Sequence, residues 1–430
     1  MKRDRKLVAA AAAATLILAG CGSSTKHTAG GATSATQPAG SSGQTSGQKS
    51  PFKIGVLTSL TGPQGSDYSN SLKGLDARVK LQNANGGVDG RQIDLDVKDD
   101  SSTTAGNLTG AQLLITQGSL LIVEASQSDA ASARYLHESG IPVLGENNTN
   151  TFGTEPFTNM FGTTGSHNPK YPAITTWGKF LASKGVKGLA TVGYGAAPTS
   201  TDAALAFAAS ARAAGLKSPY VNTSLPLTGA NFTAIALGIK SSGADAVYGG
   251  MGSNANLSLA EAVRQVGANV KVFLFPTGGS QTLLDSSANN AAMQGVYYFD
   301  NFVPAQLQTP ATKTMQQALQ QYEQITTPAD YYLEEGYMEG SLLVEALTVG
   351  GSNPTRQAII TNLRKVTGYT ADGLETQPVD YNSGDTAFGV GPNDGSGAGE
   401  CVYFIQAQGH AFVPLDTSPE CGTIIPGTGH

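Results

Sequence analysis

The sequence predicts an α/β protein built as two doubly wound, Rossmann-like units. Short apolar runs alternate with helically spaced apolar residues from Lys53 onward. The alternation pauses at a loop near Ser166–Pro172 and then restarts. The segments that follow the apolar runs are turns rich in Gly, Ser, Thr and Asn. A strand-helix rhythm of this kind implies right-handed crossovers and parallel sheets with helices on both faces.

In the first unit, Lys53–Thr58 reads as a buried strand, and Leu72, Leu75 and Val79 place a helix over Tyr68–Gln82. The cluster from Asn85 to Gly90 is a turn, and Ile93, Leu95 and Val97 alternate with charged residues as a half-exposed strand ending at Asp99-Asp100. Helix Ala105–Gln117, strand Leu120–Val123, helix Ser128–Ser139 and strand Ile141–Leu144 follow. The second unit runs strand Gly188–Val192, helix Thr201–Ala214, helix Asn231–Ser241, strand Asp245–Tyr248, helix Asn256–Val266 and strand Lys271–Phe275. Helices Ala311–Gln324, Tyr332–Val349 and Thr355–Val366 come next, then a polar, Gly-rich stretch at 384–399 and strand Cys401–Gln406. The halves share an architecture and no sequence repeat.

The N-terminus has a different character. Lys2, Arg3, Arg5 and Lys6 precede a short apolar run, Leu7–Ala19, as in a signal peptide over residues 1–20. The run is too short to be a comfortable membrane span. It ends Leu18-Ala19-Gly20-Cys21, which resembles the bacterial lipobox, so Cys21 is the expected lipidation site; a plain secretory signal is the alternative. Residues 22–50 hold almost no large apolar side chain, so 21–50 reads as the lipidated Cys and a flexible tether with a reach of roughly 30 Å. These features predict an exported protein, lipid-anchored on the outer face of the cell membrane or in the periplasm.

Composition narrows the function. The 430 residues carry 26 Lys and Arg against 32 Asp and Glu, a formal net charge of -6, so there is no basic footprint for nucleic acid. No phosphate loop, nucleophile elbow, HExxH or CxxC occurs, and the five His are scattered; no enzyme activity, cofactor or metal site is expected. Cys401 and Cys421 remain besides Cys21 and are expected to form a disulfide in an exported protein, with free buried thiols as the alternative. In open α/β sheets ligands bind beyond the carboxyl ends of the strands. The loops there, at 59–68, 124–129, 145–151, 193–201, 249–256 and 277–281, offer hydroxyls, amides and bare backbone, equipment for a small polar ligand.

The opening Ile54-Gly55-Val56-Leu57-Thr58-Ser59-Leu60-Thr61-Gly62-Pro63, the turn Asn83-Ala84-Asn85-Gly86-Gly87-Val88-Asp89-Gly90-Arg91, Asp99-Asp100, and Gly140-Ile141-Pro142-Val143-Leu144 resemble the branched-chain amino-acid-binding family of type I periplasmic solute-binding proteins. Glu335-Gly336-Tyr337, before an Ala- and Leu-rich helix, adds to the resemblance. It covers most of 53–415, strongly over the first hundred residues and loosely after Thr191.

The resemblance implies two lobes joined by three crossovers, placed near 166–171, 301–304 and 374–380. Lobe 1 is then 53–168 with 304–375, and lobe 2 is 170–301 with 378–420. It implies a monomer that closes on a small ligand, an amino acid or similar carboxylate, and delivers it to the permease of an ABC importer. A sensor that presents its ligand to a membrane receptor, and a binder of an amide, urea or aromatic acid, are the alternatives.

The family's hydroxyl pair for a ligand carboxylate maps to Ser126, fourteen residues before Gly140, and to Thr149, nine after it. Asn147 and Asn148 supply neighbouring donors. Ser126 as a helix cap and Thr149 as an ordinary loop residue are the alternatives. Tyr68 falls within a residue of the family's cleft aromatic, with packing on its own helix as the other reading. Tyr194 stands near the place of a family tyrosine, and Met251 and Gly278 follow later strands of lobe 2. The family's usual acid for a ligand ammonium is absent from Pro276-Thr277-Gly278-Gly279-Ser280. Either Glu124, Glu146 or Asp300 replaces it, or the ligand has no ammonium.

Overall fold

The structure is a computed structural model that describes residues 49–146, 152, 156–163, 172–276, 279, 281–383 and 401–428. Cys21, Asn147, Asn148, Thr149 and Gly278 lie outside the described residues, as do the signal-peptide segment and the first crossover.

Five parallel strands form the first sheet: β1 (Phe52–Thr58), β2 (Ile93–Asp99), β3 (Ile122–Ala125), β4 (Val143–Gly145) and β5 (Met160–Gly162), in the order β2-β1-β3-β4-β5. Helices α1 (Gly65–Ala84), α2 (Thr104–Thr116) and α3 (Ala130–Glu138) connect them. The continuous apolar character of β1, β3 and β4 reflects burial on both faces. Leu57, Ile122 and Val143 pack against residues of α2 and α3 on one side. Ile54, Val56, Val123 and Leu144 pack on the other against α1 and three helices that return late in the chain, α10 (Pro310–Glu323), α11 (Tyr331–Gly350) and α12 (Arg356–Leu363).

The turn after α1 shows why its residues stand where they do. Asn83 Oδ1 accepts from Ile93 N and its Nδ2 donates to Ile93 O, both at 2.8 Å, tying the helix end to β2. Gly87 has φ 76°, and a Cβ there would lie 1.9 Å from Arg91 O, so no larger residue fits. The Arg91 guanidinium lies 3.8 Å from the centre of the Phe52 ring and closes the corner.

The second sheet has eight strands. Its main path runs through β6 (Gly188–Tyr194), β7 (Lys217–Leu225), β8 (Ala246–Gly250), β9 (Val272–Phe275), β10 (Tyr297–Asp300), β11 (Cys401–Gln408) and β12 (Ala411–Pro414), in the order β12-β11-β10-β9-β8-β6-β7, with β13 (Glu420–Cys421) on β11. Strands β6 to β10 are parallel; β11 runs antiparallel to β10. Helices α4 (Thr175–Ser183) and α5 (Pro198–Ala213) cover one face, where Trp177, Phe207 and Tyr248 stack in series. Helices α6 (Phe232–Ser242), α7 (Ser253–Gln265) and α9 (Ser287–Met293), with the short α8 (Gln281–Asp285), cover the other. Cys401 and Cys421 face each other across β11 and β13 and form the expected disulfide, Cα–Cα 4.0 Å.

The predicted fold class therefore holds: two doubly wound α/β lobes. The sequence reading missed β5, α4, β7, α8, α9, β10, β12 and β13. Strand β7 is an edge whose residues are largely exposed or half-buried, so it lacks an apolar run, and it carries Pro219, which only an edge accommodates readily. The four residues of β10, Tyr-Tyr-Phe-Asp, are too few to show a period.

Candidate functional site

Strand order reverses between β1 and β3 in the first sheet and between β6 and β8 in the second. Those are the switch points where an open sheet leaves a crevice at its strand tips. The first turn of α1 lies against the N-terminus of α7 across the lobes: a Cβ built on Gly252 would stand 3.2 Å from Gln64 Oε1 and 3.3 Å from Asp67 Oδ2. Asp67 hydrogen-bonds the backbone and side chain of Ser253, and also Tyr332. The two sheet-and-helix units are thus in contact at their strand tips. Burial raises the Asp67 carboxyl to about 6, opposed by the Ser253 backbone hydrogen bond.

Tyr68 is fully buried on α1. Its hydroxyl accepts from Gln127 Nε2 at 3.0 Å and is hydrogen-bonded to Glu146, and its ring meets Tyr332 edge-on at 5.6 Å. Tyr194, at the tip of β6, hydrogen-bonds the Gly252 backbone near Asp67, so it stands at the lobe contact; burial raises its phenol to about 12. Met251 follows β8, is buried, and its carbonyl accepts from Asn256 Nδ2 at 2.7 Å. Tyr194 and Met251 share one apolar cluster at the tips of β6 and β8, whereas Tyr68 lies in a separate one with Ala125 and Tyr332.

Ser126 lies after β3 and is fully buried. Its hydroxyl donates to Asp100 Oδ2, and its oxygen accepts from Ser128 N at 3.0 Å. Asp100 also receives Ser59 Oγ at 2.6 Å and Ser102 N at 2.8 Å. The hydroxyl of Ser126 is thus tied to a carboxylate of its own lobe.

The three substitute acids separate clearly. Glu124 is sealed inside lobe 1, held by Asn107 Nδ2 at 2.9 Å and Ser132 Oγ at 3.0 Å; burial, with Asp129 nearby, raises it to about 8. Glu146 follows β4 beside Tyr68, Glu335 and Glu339. Asp300 ends β10 and lines a small recess together with Asp330, Tyr331 and Glu334 from α11. Burial raises Asp300 to about 7, with Asp330 adding to the shift, and raises Glu334 and Glu335 well above the usual carboxylate range.

This acidic face of α11 was not foreseen. Tyr331-Tyr332-Leu333-Glu334-Glu335-Gly336-Tyr337-Met338-Glu339 is almost wholly buried, and three acids in such a run are the signal that marks it. Among the described residues, Asp300, Glu334, Glu335, Glu339 and Glu375 have no Lys, Arg or His partner within ion-pair distance.

Residues 51–411 match the family of periplasmic binding proteins. The chain belongs to that family. Solved structures agree with the periplasmic binding protein fold. A leucine-binding protein from Thermotoga maritima is 18% identical, with TM-score 0.69, covering 87% of this chain and 99% of its own. A solute-binding protein of an ABC transporter from R. palustris, in complex with benzoate, is 17% identical, with TM-score 0.68, covering 88% and 99%. A branched-chain amino-acid ABC transporter protein from Thermus thermophilus with bound valine is 16% identical, with TM-score 0.71, covering 87% and 97%. No curated protein matches the chain.

Proposed function

We propose that this periplasmic binding protein is the non-enzymatic solute-binding component of an ABC importer, held to the membrane by a lipid on Cys21 and a flexible tether. It closes its lobes on one small organic solute and offers the closed form to a permease. The observation that carries this reading is the contact of α1 with the N-terminus of α7 across the strand tips of two separate sheets. A cleft that shuts this way buries a guest between switch points, using hydrogen bonds and apolar rings rather than reactive groups.

An amino acid or similar carboxylate is the solute class. The three relatives above are described with leucine, benzoate and valine, each a carboxylate. In this reading Thr149, Asn147 and Asn148, after β4, donate to the ligand carboxylate. Tyr68, Tyr194, Met251 and Gly278 line the walls, and Ser126 positions the turn that carries Gln127. Lobe 1 is 53–168 with 304–375 and lobe 2 is 170–301 with 378–420, a hinge of three segments.

A thermal-shift panel of amino acids, aromatic acids, amides, urea and short peptides tests the function. A solute present well above its Kd raises the melting temperature by mass action, and small-angle scattering shows compaction with it. A panel in which no compound stabilises the protein would sink the solute-capture reading.

A further inference from the structure

A cavity of about 380 Å³ opens in the first unit between α1, α10 and α11, within the range of about 300–1,000 Å³ typical of ligand pockets. It is not the crevice at the strand tips. Arg78, in its wall, stands eleven residues beyond Asp67 on α1, about 16 Å along the helix axis. Leu81, Ala311 and Leu374 give the cavity apolar sides, and the exposed Thr314 stands at its edge.

Two buried donors line it without a full set of partners. Arg78 is 8% exposed, and its stem lies over Gly340 of α11, where a Cβ would stand 2.6 Å from Arg78 Cβ. Its Nε donates to Ser341 Oγ and Asp372 Oδ2, both at 3.1 Å, and its Nη1 donates to Gln82 Oε1 at 3.1 Å. Its Nη2 has no acceptor among the described residues. Tyr337 is 2% exposed, and its hydroxyl likewise has no hydrogen-bond partner among the described residues. Burial raises that phenol to about 12, so below that pH it is a neutral donor. A guest that brings an acceptor atom on an apolar body suits both the donors and the walls.

Charge narrows the class. Asp372 already balances the charge of Arg78. Glu345 is close enough to Asp372 for the two to repel. A further carboxylate would meet that acidic pair across one guanidinium, so the cavity calls for acceptor atoms and not for negative charge. We propose that it is a second small-molecule site, for an uncharged apolar molecule with a carbonyl acceptor, such as an aryl ketone or amide, held by Arg78 Nη2 and the Tyr337 hydroxyl. The site lies within the first unit and does not depend on solute capture at the strand tips.

The test is ligand-observed NMR titration of the purified protein with two pairs of probes. Acetophenone is compared with ethylbenzene, which lacks the carbonyl, and benzamide with benzoate, which adds the charge. The binding that counts is the part abolished by Thr314→Trp, an exposed change that fills the cavity without entering the core. At that site acetophenone and benzamide should each bind about tenfold more tightly than their counterparts. Tyr337→Phe removes only the unpartnered hydroxyl, so it should weaken acetophenone about fivefold while the melting temperature of the ligand-free protein stays equal or rises. Arg78→Lys keeps a charge for Asp372 and loses the Nη pair, so it should weaken both carbonyl probes about tenfold. Solutes captured at the strand tips should bind Thr314→Trp as they bind the unaltered protein, which separates the two sites. Probes that bind Thr314→Trp undiminished, or that do not bind at all, overturn the second site and leave solute capture standing. Benzoate held there as tightly as benzamide makes it an anion site, and ethylbenzene held as tightly as acetophenone makes it an apolar pocket without polar recognition; either result overturns the proposed class.

Discussion

Asp100 is a fully buried carboxylate that collects donors from three segments: Ser59 after β1, Ser102 before α2, and Ser126 after β3. Such charge-assisted bonds lock the strand tips that frame the cleft. Ser126→Ala removes one of them, so it should lower stability by about 1.5–3 kcal/mol in urea unfolding while changing solute affinity less than Thr149→Ala does. A larger loss of affinity for Ser126→Ala than for Thr149→Ala would instead put the Ser126 hydroxyl on the ligand.

At the scale of elements, the crossing of α1 and α11 sets the site. It is a glycine contact: a Cβ on Gly336 would lie 1.9 Å from Ser71 O, and one on Gly74 2.2 Å from Leu333 O. Both obstacles are backbone, so neither can swing away. This close approach sets Ser71 Oγ 3.1 Å from Glu339 Oε2 and the Tyr68 ring against Tyr332. Gly336→Ala should therefore separate the helices and cost about 1–3 kcal/mol or more, read by chemical denaturation, with solute affinity falling as the aromatic pair shifts. Unchanged stability would show that the helices slide without penalty. The Glu335-Gly336-Tyr337 resemblance marked the right helix, yet the sequence could not tell that its glycine meets Ser71, which lies 265 positions earlier.

For the whole molecule, the buried acids make stability depend on pH. Asp67 rises to about 6, Asp300 to about 7 and Glu339 to about 8, each chiefly through burial. A raised acid favours the folded, closed state below its ordinary value near 4, and that contribution is lost as pH climbs through the raised value. Asp99 and Asp245, held low by hydrogen bonds despite partial burial, act in the opposite sense but only below about pH 4. The melting temperature of the ligand-free protein should fall between about pH 5 and pH 8 in a calorimetric series. A flat or rising profile over that interval would show that the carboxyls ionise without penalty.

The sequence by itself determined the α/β class, the order of most strands and helices, the Cys401–Cys421 bridge and the family motifs at 54–63 and 83–91. These depend on local periodicity, turn chemistry and short-range backbone geometry, which neighbouring residues carry. Only the tertiary structure decided which acids face one another, that Glu124 is sealed while Asp300 lines a recess, and that Ser126 donates to Asp100. Those outcomes arise from burial and from partners far apart along the chain. Desolvation depends on what the fold packs around a group, and no stretch of sequence contains that information.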